Sequence, residues 1–188
     1  MISDGIDKDV AAATNRAVSK LQRLGAECIP ISIDSAVHSV ASYYTIASAE
    51  ASSNLARYDN IRYGYNFDLE GYEFNAYISK ARSSFGPEVT RRMLLGAFVL
   101  SAGYYGKYYL KAQKVRSMIK SQLDEAFKKV DLLVAPTMPI LPFKIGEKID
   151  DPLTLYLLDI NTIIANLAGI PAISVPYELA HGLPIGIQ

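Results

Sequence analysis

The chain has 188 residues, half of them hydrophobic and a fifth charged, which excludes a disordered segment and suffices for one domain with a real core. Lys plus Arg and Asp plus Glu each number 19, so the formal net charge is zero, unlike a domain built mainly to grip phosphate backbones. A single cysteine, Cys28, and two histidines, His38 and His181, argue against a disulfide framework and against a Cys- or His-based metal site.

In chain order, Asp7 to Leu24 has an amphipathic helical pattern, with Val10, Ala13, Val18, Leu21 and Leu24 forming the apolar stripe and Gly25 stopping it. ECIPISI, which holds Cys28, reads as a short strand, with Pro30 suggesting an edge. Ser35 can cap a second helix over 36–57, and Asp59-Asn60 with Gly64 marks the loop after it. A helix over 69–83 follows. Gly86-Pro87-Glu88 then opens another, with Pro and an acid in its first turn. Met93 to Gly103 is uncharged, so this helix is expected to be buried almost all round.

Residues 104–130 form a long amphipathic pattern with Tyr108, Ala112, Val115, Ile119, Leu123, Ala126 and Val130 on one face. DLLVAP has the look of a buried parallel strand, and 137–151 of a long loop. Residues 152–169 read as one more helix, and AISVPYE and LPIGIQ as two closing strands. The fold class expected is α/β, with helices covering a mixed central sheet. MISDGIDKDV lacks the apolar core of a signal peptide, and no apolar run reaches the ~18 residues of a membrane span. The setting expected is therefore reducing and cytoplasmic, without a membrane.

Eleven of the 13 tyrosines lie between Tyr43 and Tyr109, so that segment is expected to line a cleft or an interface. Asp159 is the one charged residue between Pro152 and Tyr177, and a carboxylate in such company must be paired, protonated or waiting for a ligand. Arg91 and Arg92 stand one turn into the helix that then runs uncharged, and neighbouring helix positions point about 100° apart. One reading is a structural ion pair between Asp159 and one arginine. The other is a site for a small zwitterion, with Arg holding a carboxylate through two parallel hydrogen bonds and Asp meeting an ammonium.

The serines in EASSNLARYDNIRYGY invite a nucleophile reading, but Ser52 and Ser53 lie mid-helix without flanking glycines, and the chain has no G-x-S-x-G elbow. His38 is one candidate base for such a serine. No Gly-rich phosphate loop is present. The residues by themselves show no complete catalytic set.

EASSNLARYDNIRYGY, FGPEVTRRMLLGAFVLSAGYYGKYYLKAQKVR, DLLVAPTMP, IDDPLTLYLLDI, NLAGIPAISVP and GLPIGIQ follow one another in an order that resembles the amidase signature family, and within it the tRNA-dependent amidotransferase branch. The resemblance runs from about residue 5 to 188. It implies an α/β/α sandwich around a mixed sheet and a glutaminase that works through a Ser–Ser–Lys triad. The ammonia passes to a partner B subunit, which uses ATP and Mg to activate Glu-tRNA(Gln), while a small C subunit braces the complex. No cofactor is implied in this chain, and tRNA is met through the complex. The family's Gly- and Ser-rich triad segment has no counterpart here. Residues 1–188 are therefore expected to be the C-terminal portion of a single amidase domain, inactive alone, with no catalytic residue of its own. Carried over by motif, Arg92 in TRRMLLG corresponds to the residue holding the substrate α-carboxylate and Asp159 in LYLLDI to the one meeting the α-ammonium. Tyr43 in SYYTIASAEASSN corresponds to a tyrosine lining the same pocket.

Two other readings remain open. One is a general amidase acting on another small amide. The other is a non-catalytic scaffold or RNA-binding module in which Arg57, Arg62 and nearby tyrosines stack on bases.

Overall fold

The computed structural model describes residues 5–64, 68, 70–147 and 152–188. They form two compact units, one of Met1–Ala41 with Lys114–Gln188 and the other of Ser42–Gln113.

In the first unit, helix α1 (Lys8–Arg23) begins where the Asp7 side chain accepts the Asp9 N–H at 2.8 Å, an N-cap that satisfies a donor the helix cannot. It ends at Gly25, whose φ of +98° supplies the left-handed turn. Its apolar stripe packs Val10 and Ala13 against Ile185, with Ile6, Leu141, Tyr177 and Ala180 around them. Strands β1 (Val175–Ala180) and β2 (Leu183–Ile187) pair antiparallel. Between them His181 (φ 53°) and Gly182 (φ 77°) both have positive φ, as a two-residue type I′ hairpin requires.

Arg16 on α1 forms a two-point ion pair with Glu178 on β1, its Nε donating to Oε2 at 3.0 Å. The Arg16 hydrogen bond holds the Glu178 carboxyl below its ordinary pKa. That contribution is present above the unfolded carboxyl's pKa and is lost as pH falls through the folded one. Because the pair is exposed to solvent, an NMR titration of Glu178 should show the depression shrinking in molar salt. A salt-independent value would contradict the assignment.

A 3-10 turn (Asp34–His38) is tied to helix α5 (Tyr109–Ala126), since Gln122 Oε1 accepts from the Ser35 N–H at 3.1 Å and from its hydroxyl at 2.7 Å. Ile119, Leu123 and Ala126 give α5 its buried face, as the spacing anticipates. Two short helices follow, α6 (Pro152–Leu158) and α7 (Ile163–Ala168), the latter ending at left-handed Gly169. Arg116 Nε donates to the Leu167 carbonyl at 2.9 Å, one of the terminal acceptors that α7 leaves unpaired.

The second unit holds helix α2 (Ser39–Leu55) from Ser42 onward, helix α3 (Phe74–Arg82), helix α4 (Pro87–Leu100) and the start of α5. Pro87 occupies the first turn of α4 after Gly86, where a missing N–H costs nothing. Tyr77 of α3 is 1% exposed, and its hydroxyl donates to the Asn60 carbonyl at 2.8 Å while accepting from Asn60 Nδ2 at 3.2 Å.

Several expectations are corrected. ECIPISI forms no strand, and Cys28 sits in partly buried irregular chain. DLLVAP is not a parallel strand; only its end pairs, antiparallel to β2, through Ala135 N–H to Gln188 O at 3.0 Å and Gln188 N–H to Ala135 O at 2.9 Å. The helix over 152–169 is two helices, broken at 159–162. Residues 104–108 turn before α5 begins, and α3 starts at Phe74, later than 69. The α4 face expected to be buried is largely open: Leu94 is 68% exposed and Leu95 and Phe98 45% each, with Gly96 and Val99 buried. The end of the 137–151 loop lies outside the described residues. No helix of the described residues is long and apolar enough to cross a membrane.

Candidate functional site

Ten of the eleven tyrosines from Tyr43 to Tyr109 are among the described residues, and all ten fall within the second unit. Arg92 and Tyr43 are there too. Arg92 projects from the second turn of α4, and its guanidinium carbon lies 5.5 Å from the centroid of the Tyr44 ring on α2, a cation–π arrangement. Tyr43 meets Tyr44 edge to face, with centroids 5.2 Å apart and planes at 87°. One predicted tyrosine and the predicted arginine are thus joined through a residue, Tyr44, that motif resemblance does not single out.

In the sequence Glu88, one turn before Arg92 on α4, shows only as a favourable charge at a helix start. It also accepts from Arg92 Nε at 2.9 Å and pairs with Arg91. The i, i+4 spacing that brings Glu88 and Arg92 together is visible once the helix is in place. The arrangement fixes the plane of the Arg92 guanidinium from two directions, by an aromatic face and by a carboxylate on Nε. A guanidinium held this way keeps its fork of N–H donors in a set orientation, which suits recognition of a carboxylate.

Asp159 belongs to the first unit. It sits in the break between α6 and α7, partly buried, and its backbone carbonyl accepts from the Thr162 N–H, the Ile163 N–H and the Thr162 hydroxyl, each at 3.0 Å. Three donors on one carbonyl hold the backbone of this break. Asn161, two residues on, is 6% exposed, and its carbonyl accepts from Gln188 Nε2 at 2.9 Å.

Ser52 and Ser53 are α2 residues, as the pattern anticipates. Ser52 faces Gly96 of α4, and Ser53 is exposed. His38 ends the 3-10 turn, and His181 Nε2 lies 3.0 Å from Asp9 Oδ2 at the surface. The arginines offered for RNA stacking fold back on their own chain: Arg57 bonds Asn54 O at 2.9 Å and Asn54 Oδ1 at 3.0 Å, and Arg62 pairs with Asp59 at 3.9 Å. Among the described residues no three His, Cys, Asp or Glu side chains gather as a metal ion would require.

With this geometry in hand, comparison with known proteins defines the class. The amidase family model matches residues 1–188, and the chain belongs to the amidase family. Within it, the chain is 56% identical over its whole length to the A subunit of glutamyl-tRNA(Gln) amidotransferase from Cenarchaeum symbiosum, and 52% identical over 97% of its length to that from Saccharolobus solfataricus. It spans 39% of the first of these relatives and 38% of the second. Among solved structures, the corresponding A subunit from Thermotoga maritima superimposes with a TM-score of 0.69 at 43% identity, over 97% of this chain and 34% of that one. An amidase at 20% identity, with a TM-score of 0.73, shows the shared α/β amidase-signature fold.

Proposed function

We propose that these residues are the glutamine-binding part of the glutaminase subunit of a tRNA-dependent amidotransferase. The Arg92 guanidinium, held over Tyr44 and braced by Glu88, carries this reading. In it, Arg92 takes the α-carboxylate of glutamine through paired hydrogen bonds, Asp159 takes the α-ammonium, and Tyr43 walls the pocket beside Tyr44. Holding both charged ends leaves the side-chain amide to reach a nucleophile. A Ser–Ser–Lys triad supplied from outside these 188 residues attacks the amide carbonyl and releases ammonia. The ammonia then serves a B subunit, which uses ATP and Mg to convert Glu-tRNA(Gln) to Gln-tRNA(Gln), with a C subunit bracing the pair. On this reading the 188-residue stretch alone does not hydrolyse glutamine. Residues 1–188 are one portion of an amidase domain, the C-terminal one. The similarity to A-subunit relatives across the whole chain supports the assignment.

The discriminating experiment sets glutamine against simple aliphatic amides, using a full-length A subunit that carries this stretch. Glutamine should be preferred by about 100-fold or more in kcat/KM, because an apolar amide leaves the Arg92 and Asp159 charges unanswered. Equal or better turnover of aliphatic amides would favour a general amidase instead.

A further inference from the structure

A methyl group in the Cβ position of Gly96, in the middle of α4, would lie 2.0 Å from the Ser48 backbone oxygen, 2.7 Å from its carbonyl carbon and 2.5 Å from Ser52 Cβ. Two of these three atoms are backbone of α2 and cannot rotate aside as the end of a side chain does. Gly96 is not among the glycines with positive φ, so the conformation does not require glycine. Glycine also weakens a helix interior relative to alanine. What requires it is the approach of α4 to α2.

Arg92 stands one turn before Gly96 on α4, and Tyr44 one turn before Ser48 on α2. Residues four apart share a helix face, so the faces that meet at Gly96 also carry the guanidinium-over-ring contact. We infer that Gly96 is a positioning residue, which by letting α4 close on α2 sets the height of Arg92 over Tyr44 and so the place where a substrate carboxylate is held. This inference rests on the reading of Arg92 as the carboxylate-binding residue. An alanine Cβ would need the 2.0 Å contact to open by about 1 Å at the least. Misplacement on that scale carries a charge-assisted hydrogen bond out of its useful range, and losing one such bond costs roughly 10- to 100-fold in binding.

The test uses a full-length A subunit carrying this stretch. Gly96→Ala should raise the KM for glutamine by about 10- to 100-fold, while kcat at saturating glutamine stays within about threefold. Val99→Ala removes buried volume from the same helix without adding a wedge, so it should lower the melting temperature and leave KM unchanged. Should Gly96→Ala fail to fold, Ser52→Thr places one extra methyl at the same contact and should raise KM in the same direction. Combined with Arg92→Ala, either wedge should raise KM little further, because both act through one group. A KM untouched by the wedges while Arg92→Ala raises it, or a full additive effect in the double variant, would overturn the positioning role alone. If Arg92→Ala itself leaves KM unchanged, the carboxylate reading falls and takes this inference with it.

Discussion

Replacing Arg92 with alanine in a full-length A subunit should raise the KM for glutamine by about 30- to 900-fold, corresponding to about 2–4 kcal/mol for stripping one partner from a hydrogen-bonded charge pair. Most of the loss should fall on KM, because the carboxylate end of glutamine is remote from the amide that reacts. Arg92→Lys should recover only part of it. Lysine restores the charge but not the planar fork, nor the ring contact with Tyr44 in its present form. Glu88→Gln should fall between wild type and Arg92→Ala, since it loosens the Nε side of the guanidinium without removing it. Steady-state kinetics across a wide glutamine range separates these outcomes. A wild-type KM for Arg92→Ala would reject Arg92 as a substrate contact.

A second large effect concerns stability. Tyr77 fills the interior of the Ser42–Gln113 unit and bonds both the carbonyl and the side-chain amide of Asn60. Asn60 is itself buried at 5% exposure and adopts φ 66°, the left-handed conformation that asparagine tolerates better than most residues. Tyr77→Ala should cost about 3–5 kcal/mol of unfolding free energy, through lost burial and the cavity left behind. Tyr77→Phe keeps the ring and leaves the buried Asn60 groups without this partner, for about 1–3 kcal/mol. Denaturant unfolding of a full-length A subunit carrying each change measures both. A Tyr77→Ala loss below that of Tyr77→Phe would show that the ring is not the anchor it is taken to be.

How far these features can be read from the sequence differs by element. Helix α1, the start of α4 and the closing hairpin carry local signals: an Asp cap, Gly25, Gly86-Pro87-Glu88, and His181-Gly182 between apolar runs. Each is settled within a few residues of chain. ECIPISI and DLLVAP look equally plain, yet a strand exists only by virtue of a neighbour, and β-branched residues say that a surface would fit without saying that one is there. The break between α6 and α7 carries no proline or glycine; it is held by three bonds to the Asp159 carbonyl that no pattern of apolar residues encodes. At the candidate site, the charge pattern singles out Asp159 and the Arg91-Arg92 pair, and motif resemblance alone narrows the pair to Arg92; the all-round burial that the pattern implies along α4 is not found. Glu88 follows from i, i+4 spacing once α4 is placed, but Tyr44 is hidden for a different reason. Its contribution depends on which faces of α2 and α4 meet, and the close approach there is at Gly96, a residue with no chemistry of its own.

The open face of α4 has a practical meaning at the bench. A run of uncharged side chains suggests burial, but in this structure Leu94, Leu95 and Phe98 stand in solvent together with Tyr104, Tyr105 and Tyr108. The Phe98 ring lies against those of Tyr104 and Tyr108, with centroids 4.4 and 5.8 Å away, and exposed apolar surface of this kind binds other apolar surface. The 188-residue stretch expressed by itself will therefore take up a hydrophobic dye in its native state. It will also self-associate as its concentration rises, and salts that strengthen apolar contacts will bring it out of solution first.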